Sequence, residues 1–360
     1  MNILMVGPHK DKIKGGMSTV IKNYSESEFL KEFIIYNLHT VSLGNKFIKL
    51  IYGICSILKM IYYLIFKKIS LVHIHTASGN SFARKSIFIN ISYLFKKQII
   101  LHIHGGGFEE FYLEKMNSKK DENIRKVLNK CDYIVVLSDG WKNKIKKMTS
   151  SEIVVINNSV KDRDKNNYNQ KSNQITFIGR VEREKGIFDL IEAANIIVKK
   201  YKNIKFTICG GGDTNTIESI IKEYGIEKNF EILGWVDNDQ VLKELKKSMI
   251  FILPSHKEAM PMSILEAMSY GVPIISTNIG SIPEFIKQER NGELFNPGDI
   301  NQLEIAIEKI INNLELRKYY SQNNFMDIKK CYSDEINHNK IKDLYILGGS
   351  KSNENKIYRD

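Results

Sequence analysis

The stretch from Met249 to Ser276, MIFILPSHKEAMPMSILEAMSYGVPIIS, decides the fold. It begins and ends with short apolar runs that predict buried strands, and the segment between them predicts a helix. We place the helix from Pro261 to Tyr270, because its apolar residues recur at helical spacing, a proline suits the first helical position and Gly271 provides a stop. Strands that alternate with helices in this way predict parallel sheets covered by helices.

Two acidic residues flank the start of this helix. Glu258 lies just before it, and Glu266 lies eight residues later, roughly 6 Å beyond the helix start. The free backbone N–H groups near Met262 and Ser263 favour a phosphate. Because carboxylates accept hydrogen bonds from hydroxyls, the pair predicts a site for a nucleotide-linked sugar. On spacing alone, the alternative to a binding site is that Glu258 is a solvated loop residue and Glu266 an exposed helix residue.

Length and composition predict a globular protein. The chain has 360 residues, 42% of them hydrophobic, which is enough for two domains that each bury a core. The four cysteines are scattered in apolar or strand-like surroundings without a CxxC pair, so we expect reduced core thiols. Met1 to Gly7 carries no basic leader and predicts a buried first strand, so we expect a cytoplasmic protein.

The net charge of +12 is concentrated in the first half of the chain. Residues 1–170 carry 27 Lys and Arg against 14 Asp and Glu, a balance of +13, whereas residues 171–360 carry 26 against 27, a balance of −1. A basic half fits nucleic acid, anionic lipid or an anionic substrate, since the electrostatic attraction does not distinguish between phosphate carriers. A solvated lysine-rich surface explains the same charge without a partner.

Strands and helices alternate through most of the chain. The predicted strands are Asn2–Val6, Phe33–Leu38, Leu71–His75, Gln98–His102, Tyr133–Leu137, Ile153–Ile156, Ile175–Gly179, Lys205–Gly210, Phe230–Leu233, Met249–Leu253 and Pro273–Ser276. Between the sixth and the seventh, Lys161–Asn173 is polar, lacks apolar periodicity and predicts a linker. The sequence therefore predicts an α/β protein with two doubly wound Rossmann-like domains facing a central cleft, with ligands at the carboxyl ends of the strands.

The linker sets the expected domain bounds. We place the first domain at residues 1–165 and the second at residues 166–325. A helix at residues 326–347 is expected to pack back toward the first domain, and residues 348–360 are expected to form a frayed tail.

The run Phe47–Phe66 is strongly apolar but contains Lys49 and Lys59. A lysine near the centre of a membrane span costs roughly 2.5–3.5 kcal/mol, so we expect a helix packed on the domain and not a transmembrane span. The alternative is that its outer face, with its lysines and tyrosines, rests on an anionic membrane surface.

Two loops carry residues suited to phosphate. Gly15 and Gly16 follow the first strand and precede a helix predicted to begin near Ser18, but their spacing indicates neither a dinucleotide fingerprint nor a P-loop. Arg180 and Lys185 lie five residues apart after the strand that opens the second half, where a guanidinium and an ammonium would both bind phosphate oxygens. Solvated surface charges are the alternative.

Four histidines alternate along two predicted strands, as His73 with His75 and His102 with His104. Alternation puts both members of a pair on one face, as in a metal site, but no carboxylate or cysteine completes a ligand set in the sequence. We therefore expect three satisfied core histidines and one, His104, that reaches a cleft from the end of its strand.

With these residues assembled, the chain resembles the retaining GT-B glycosyltransferases of family four, the glycosyl transferases group 1, over nearly its whole length. The second half carries GRVEREKG, GWVDND, PSHKEAMPMSILEAMSYGVPII, NIGSIPEFI and NGELFNPGD in the family's order. The first half carries GGM, HIHTASGNSFARKS, LHIHGGGFEEFY and VVLSDGW, and is similar to members that assemble bacterial surface polysaccharides. One departure is Ala259, where many members have a glycine beside the donor sugar.

The resemblance implies four catalytic residues. Arg180 and Lys185 would neutralise the pyrophosphate and stabilise it as a leaving group, which is an electrostatic task. Glu258 would bind the hydroxyls of the donor sugar, and His104 would approach the sugar from the other domain. Family members transfer with retention of configuration and without a required metal, so no cofactor is expected besides the nucleoside-diphosphate sugar as co-substrate.

The resemblance also implies further donor contacts. The backbone N–H groups of Gly16, Met262 and Ser263 would bind phosphate oxygens. Glu266 would bind the ribose hydroxyls, and the base would rest near Trp235–Val236.

These features together predict a hexosyltransferase-type enzyme of capsule, O-antigen or exopolysaccharide synthesis. It would move a sugar from the nucleoside diphosphate to a hydroxyl of a glycan acceptor, expected to be lipid-linked, with its basic domain on the anionic inner face of the plasma membrane and with no nucleic-acid partner. One alternative is a nucleotide-sugar epimerase of the same fold, which would need an acid/base pair beside the sugar carbon. The other is a non-catalytic basic protein that binds nucleic acid or a membrane surface.

Overall fold

The computed structural model describes residues 1–41, 45–105, 107–113 and 119–357, and the chain divides into two compact units. The first unit comprises Met1–Ser159 together with Asp334–Asp360, and the second comprises Val160–Ser333. The division falls six residues before the boundary predicted at residue 165. Residue 106, within the segment LHIHGGGFEEFY of the family resemblance, and the last three residues of the predicted tail lie outside the described residues.

The first unit is a parallel sheet of six strands in the order β2-β1-β3-β4-β5-β6. Its elements are β1 (Asn2–Gly7), α1 (Gly16–Glu26), β2 (Ile34–His39), α2 (Lys46–Phe66), β3 (Ile69–Thr76), α3 (Asn80–Leu94), β4 (Gln98–Ile103), α4 (Phe108–Leu113), α5 (Lys119–Leu128), β5 (Tyr133–Val136), α6 (Asp139–Ile145) and β6 (Glu152–Val155). The inner strands β3, β4 and β5 are almost entirely buried, as near-continuous apolar runs predict.

The second unit is also a parallel sheet of six strands, in the order β12-β11-β10-β7-β8-β9. Its elements are β7 (Gln174–Ile178), α7 (Ile187–Lys200), β8 (Lys205–Cys209), α8 (Thr214–Glu223), β9 (Phe230–Gly234), α9 (Asn238–Lys247), β10 (Ser248–Leu253), α10 (Met262–Ser269), β11 (Ile274–Thr277), α11 (Ile282–Phe285), β12 (Gly292–Phe295), α12 (Ile300–Ile311) and α13 (Leu314–Asp327), with a short π-helix at Ile328–Tyr332. Every predicted strand of both units is present, with ends within two residues of the prediction. Only β12 was not predicted.

The last helix, α14 (Asp334–Ile357), belongs to the first unit. It packs against β3 and β4, and it buries Ile341 and Tyr345 completely. The backbone stays helical to Ile357, where the sequence predicted a frayed tail from residue 348. The helix starts later than the predicted residue 326, because the segment before it ends the second unit.

The predicted linker is irregular but packed. Lys161–Asn173 contains no helix or strand, yet Tyr168 donates a hydrogen bond to the Met249 carbonyl at 2.9 Å and Asn166 donates one to Ser321 Oγ at 2.9 Å. The segment therefore belongs to the second unit, which explains why the division falls before it.

The cysteine prediction was half wrong. Cys131 and Cys209 are buried, but Cys55 and Cys331 are exposed. Cys55 lies on α2, where apolar neighbours in the sequence wrongly indicated burial. Within the described ranges α2 is the one helix that is long and apolar enough to cross a membrane, by length and composition only.

Candidate functional site

The strand order of the second unit places the phosphate loop beside the glutamate loop. From β7 the chain runs outward to β8 and β9, then crosses back to β10 and continues outward to β12. Strands β7 and β10 are hydrogen-bonded neighbours, so their loops diverge at a topological switch point. Open α/β sheets bind ligands in the crevice at such a point. Arg180 and Lys185 follow β7, and Glu258 follows β10.

Lys185 and Glu258 are in direct contact. Lys185 Nζ lies 2.5 Å from Glu258 Oε1, and Ser255 Oγ donates a second hydrogen bond to the same oxygen at 3.0 Å. The Glu258 side chain is only 10% exposed, whereas that of Lys185 is 25% exposed. Two residues chosen from separate motifs therefore form one fixed, partly buried ion pair at the edge of the crevice.

Two glycines allow these loops to approach each other. Gly186 has φ +68°, and a Cβ there would lie 1.9 Å from the Pro254 carbonyl oxygen. Gly280 has φ +55°, and a Cβ there would lie 2.3 Å from the Glu258 carbonyl oxygen. Both positions combine a left-handed backbone with backbone contact, so only glycine fits without displacing the glutamate loop.

The backbone at Ala259 is ordinary. Residues with positive φ other than glycine are Lys68, Lys96 and Glu289 in the described part of the chain, so Ala259 needs no glycine-like conformation. Its carbonyl accepts a hydrogen bond from the Ser281 N–H at 2.9 Å. The departure from glycine at this position therefore imposes no backbone strain on the loop.

Helix α10 begins at Met262, one residue after the predicted start, and Pro261 occupies the N-cap position without a side-chain cap. The N–H groups of its first turn, which include those of Met262 and Ser263, have no capping side chain to satisfy them. Glu266 lies one turn further along this helix and is half-buried. Burial raises the pKa of its carboxyl to about 7.

The predicted base site lies at the end of the next strands. A Cβ on Gly211 would lie 2.1 Å from the Trp235 indole, so the ring rests directly against the glycine turn that follows β8. The indole is 51% exposed, and Val236 beside it is half-buried. The exposed indole ring, beside a glycine turn that has no side chains, offers a flat apolar surface on which a base could stack.

Arg180 is placed differently from Lys185. Its side chain is 64% exposed, and its Nε lies 3.4 Å from Glu182 Oε2. A long, exposed contact of this kind is weak, so the guanidinium is held loosely at the rim of the crevice.

Sequence reasoning missed a bridge between the two loops. His256 Nε2 lies 2.7 Å from Asp189 Oδ2, and the His256 N–H donates to the Glu184 carbonyl at 2.8 Å. These contacts tie the loop before Glu258 to the turn that carries Lys185. The only sequence signal was a histidine two residues before the first glutamate of the pair.

The glycine loop of the first unit lies at an equivalent switch point. Strands β1 and β3 are hydrogen-bonded neighbours, and the chain leaves them toward opposite edges of the sheet. Helix α1 begins at Gly16, before the predicted Ser18, and its N-terminus has no side-chain cap. Gly15 has φ +142°, nothing lies within 4 Å of where its Cβ would be, and Gly15 and Gly16 are both exposed, so the helix end is accessible.

The four histidines form a buried stack in the first unit. His75 Nδ1 lies 2.8 Å from His104 Nε2, and His73 Nδ1 lies 2.7 Å from the Tyr345 hydroxyl. Burial lowers the pKa of His104 to about 3, so the ring is neutral at physiological pH. His104, at the end of β4, is half-buried, whereas the other three are fully buried.

The prediction that the three core histidines are satisfied was only partly right. His73 Nε2, His75 Nε2 and both ring nitrogens of His102 have no hydrogen-bond partner among the described residues. Ligand atoms of these three residues lie within 4.8 Å of one another, a spacing compatible with a metal ion. The rings of His73 and His102 are stacked at 6° with centroids 5.5 Å apart.

The fold comparison defines the class of protein. The Anabaena protein HepE, solved in complex with UDP, superposes with a TM-score of 0.74 at 14% identity, over 96% of this chain and 100% of that chain. The chain has the GT-B fold. Residues 158–326, which include nearly all of the second unit, match the family described as glycosyl transferases group 1.

Relatives with glycosyltransferase names match parts of the chain. An uncharacterized glycosyltransferase of Methanocaldococcus jannaschii is 30% identical over 160 residues, which are 44% of this chain and 41% of that protein. The capsular polysaccharide biosynthesis glycosyltransferase CapM of Staphylococcus aureus is 26% identical over 239 residues, which are 63% of this chain and 59% of CapM. The matches thus span about half the length of these relatives.

Proposed function

We propose that this chain is a retaining glycosyltransferase that moves a hexose from a nucleoside-diphosphate sugar to a hydroxyl of a glycan acceptor. The observation that carries the proposal is the contact between Lys185 and Glu258 at the switch point of a group 1 glycosyltransferase domain. It joins a cation suited to the diphosphate with a carboxylate suited to the sugar, within one crevice.

The ion pair is compatible with both proposed roles. An ammonium group has three hydrogens, so Lys185 can keep one hydrogen bond to Glu258 while it donates others to a diphosphate. Arg180, exposed at the rim, adds a second cation as negative charge develops on the leaving group. The uncapped N–H groups at the start of α10 add backbone donors. The family resemblance assigns the same role to the N–H of Gly16.

The sugar and the nucleoside use the remaining groups. Glu258 accepts hydrogen bonds from the sugar hydroxyls, and Glu266 accepts them from the ribose. Trp235 and Val236 contact the base. His104, neutral in this environment, contacts the sugar as a hydrogen-bonding group and does not carry a charge.

Two further observations support the proposed acceptor and the proposed cellular location. CapM is named for capsular polysaccharide biosynthesis, which supports a glycan acceptor for a surface polysaccharide, expected to be lipid-linked. The basic first half supports a position at the inner face of the plasma membrane and an anionic lipid partner. The proposed reaction uses no metal cofactor, as the family resemblance implies.

A ligand screen tests the proposal. HepE was solved with UDP, so UDP and GDP with their sugars are the first ligands to test. At about 100 times Kd a ligand adds about 2.7 kcal/mol of stability, which should raise Tm by about 5 °C or more. We also expect slow hydrolysis of one nucleotide sugar when no acceptor is present.

The Glu258→Ala variant is the control for this screen. It should lose most of the response to the nucleotide sugar and keep part of the response to the nucleoside diphosphate. If no nucleotide sugar binds or is hydrolysed, and the variant behaves like the wild type, the proposed donor site is wrong. An epimerised nucleotide sugar as the product would instead indicate an epimerase.

The raised pKa of Glu266 predicts pH-dependent donor binding. If the ionised carboxylate accepts the ribose hydroxyls, affinity for a nucleotide sugar should increase as pH rises through about 7, by up to tenfold per pH unit below it. A nucleotide sugar is the right probe, because its phosphates carry no proton that titrates in this range. Isothermal titration between pH 5.5 and pH 8.5 measures the effect.

The Glu266→Gln variant should bind more weakly and with little pH dependence in this window. The raised pKa of Glu266 also lowers the free energy of unfolding as pH rises from about 4.5 to about 7, because the carboxyl ionises near its ordinary pKa of 4.5 in the unfolded chain but stays protonated up to about 7 in the folded one. In the Glu266→Gln variant the free energy of unfolding should not fall in this way as pH rises. A wild-type affinity that is flat across the window would contradict the ribose role.

A further inference from the structure

Helix α2 presents an apolar stripe to solvent along its whole length. Large side chains spaced three or four residues apart are between 49% and 68% exposed, namely Phe47, Leu50, Ile54, Leu58, Tyr62 and Phe66. Residues at this spacing lie on one face of a helix. A contiguous exposed apolar face marks an interaction surface, because water-soluble proteins keep such patches small.

The opposite stripe of α2 fixes the helix on the first unit. Met60 and Leu64 are buried in the core of that unit. Ser56 Oγ donates a hydrogen bond to the His39 carbonyl at 2.8 Å. The helix therefore has a defined inner and outer face, and the exposed stripe is the outer one.

The sequence around this helix carries positive charge without any negative charge. Residues 33–108 contain no Asp or Glu but nine Lys and Arg. Lys49, Lys59 and Lys68 lie on or directly after α2 and are exposed. Lys59 lies over the Tyr63 ring at 5.5 Å from its centroid, so its stem covers apolar surface while its amine stays in water.

We propose that α2 docks this protein onto an anionic lipid bilayer, with the helix in the plane of the membrane and its apolar stripe among the acyl chains. An apolar face bordered by lysines is the pattern of an interfacial helix. The buried stripe of Ser56, Met60 and Leu64 argues for this orientation over a transmembrane one, because crossing would strip the helix from the sheet. The proposal does not depend on the proposed sugar-transfer reaction.

Two other occupants fit the surface less well. A second copy of this chain would bring the exposed lysines of α2 against themselves, since a two-fold interface pairs like with like. A nucleic acid would match the charge but would leave the stripe from Phe47 to Phe66 in water. A bilayer with anionic headgroups matches both features.

Vesicle co-sedimentation of the full chain tests the proposal. Wild-type protein should bind vesicles of phosphatidylcholine that contain about one third phosphatidylglycerol, and bind pure phosphatidylcholine at least about tenfold more weakly. The triple variant Leu50→Glu, Ile54→Glu, Leu58→Glu should lose binding by about 100-fold or more. The matched control is a triple variant of exposed apolar residues in the second unit, and it should bind like the wild type. Its substitutions are Ile305→Glu, Leu314→Glu and Tyr319→Glu.

Two further measurements define the mode of binding. A polarity-sensitive fluorophore on exposed Cys55, with Cys331→Ser to remove the other exposed thiol, should shift to the blue on anionic vesicles. Alkaline carbonate should release the bound protein, as expected for an in-plane helix.

Circular dichroism and the thermal response to nucleotides should be unchanged in the triple variant, which separates loss of docking from loss of fold or of donor binding.

The proposal is overturned if the triple variant binds vesicles like the wild type, or if the fluorophore on Cys55 does not respond. It is also overturned if wild-type protein in solution is a stable dimer that the triple variant dissociates, since the stripe would then serve a second copy. Resistance to carbonate would exclude the in-plane orientation.

Discussion

Replacing Lys185 by alanine is expected to lower turnover by about 100-fold or more. The change removes one charge contact to the departing diphosphate, and the loss of a single preorganised contact to developing charge has an effect of this size. It also leaves Glu258, which is only 10% exposed, without its cation. Steady-state kinetics with the nucleotide sugar identified in the ligand screen measure the change in kcat.

A double variant separates catalysis from stability. Lys185→Ala alone should cost about 1–2 kcal/mol of unfolding free energy, because a partly buried carboxylate loses its partner. Adding Glu258→Gln should recover much of that stability and none of the turnover. Lys222→Ala, an exposed lysine on α8 of the same unit, is the matched control and should leave both quantities unchanged. If the Lys185→Ala variant keeps the wild-type kcat, Lys185 does not take part in catalysis.

Replacing Arg180 by alanine is expected to lower turnover by a similar factor, about 100-fold, with little change in stability. The guanidinium is 64% exposed and makes only a long contact to Glu182, so its removal disturbs little of the fold. Its effect should appear mainly in kcat, because the charge on the leaving group increases in the transition state. Single-turnover measurements with saturating donor isolate that step.

Arg183 provides the control for this prediction. It lies in the same turn, but its guanidinium rests over the Phe188 ring at 5.0 Å and serves packing. Arg183→Ala should therefore turn over donor at close to the wild-type rate. Equal losses in both variants would show that the effect comes from the general charge of the loop, and would contradict a specific role for Arg180.

Apolar periodicity predicted nearly all of the sheet structure, and the one strand it missed has a physical reason. Strand β12 is four residues long and carries Glu293 at its second position. That carboxylate is buried, where it accepts hydrogen bonds from the Tyr320 hydroxyl and from Gln288. A buried acid breaks the apolar pattern of a short strand, and its partner Tyr320 lies 27 residues further along the chain, outside any local pattern.

The candidate site was predictable as residues but not as contacts. Lys185 and Glu258 were each chosen from local loop chemistry, 73 residues apart. Their contact depends on β7 and β10 being neighbours, and strand order is not encoded in the periodicity of either strand. The bridge from His256 to Asp189 was missed for the same reason, because neither residue stands out in its own loop.

Exposure was the least predictable property. The apolar composition of α2 indicated a packed helix, and one face of it is packed through Met60 and Leu64. The same composition continues around the helix, so the sequence contains no polar stripe that would show which face points outward. Cys55 was assigned to the core for this reason and lies at the surface.

The discontinuous first unit has a consequence for the order of events during synthesis. Its sheet is complete at Ser159, but the helix that covers His73 and buries Tyr345 begins only at Asp334. A ribosome adding about 5–20 residues per second needs roughly 10–35 s to make the 174 residues between them. During that interval the face of the first sheet that carries His73 lacks the helix that covers it, while the second unit, continuous in sequence, can fold to completion. The nascent chain therefore leaves one sheet face uncovered longest in the unit that is made first.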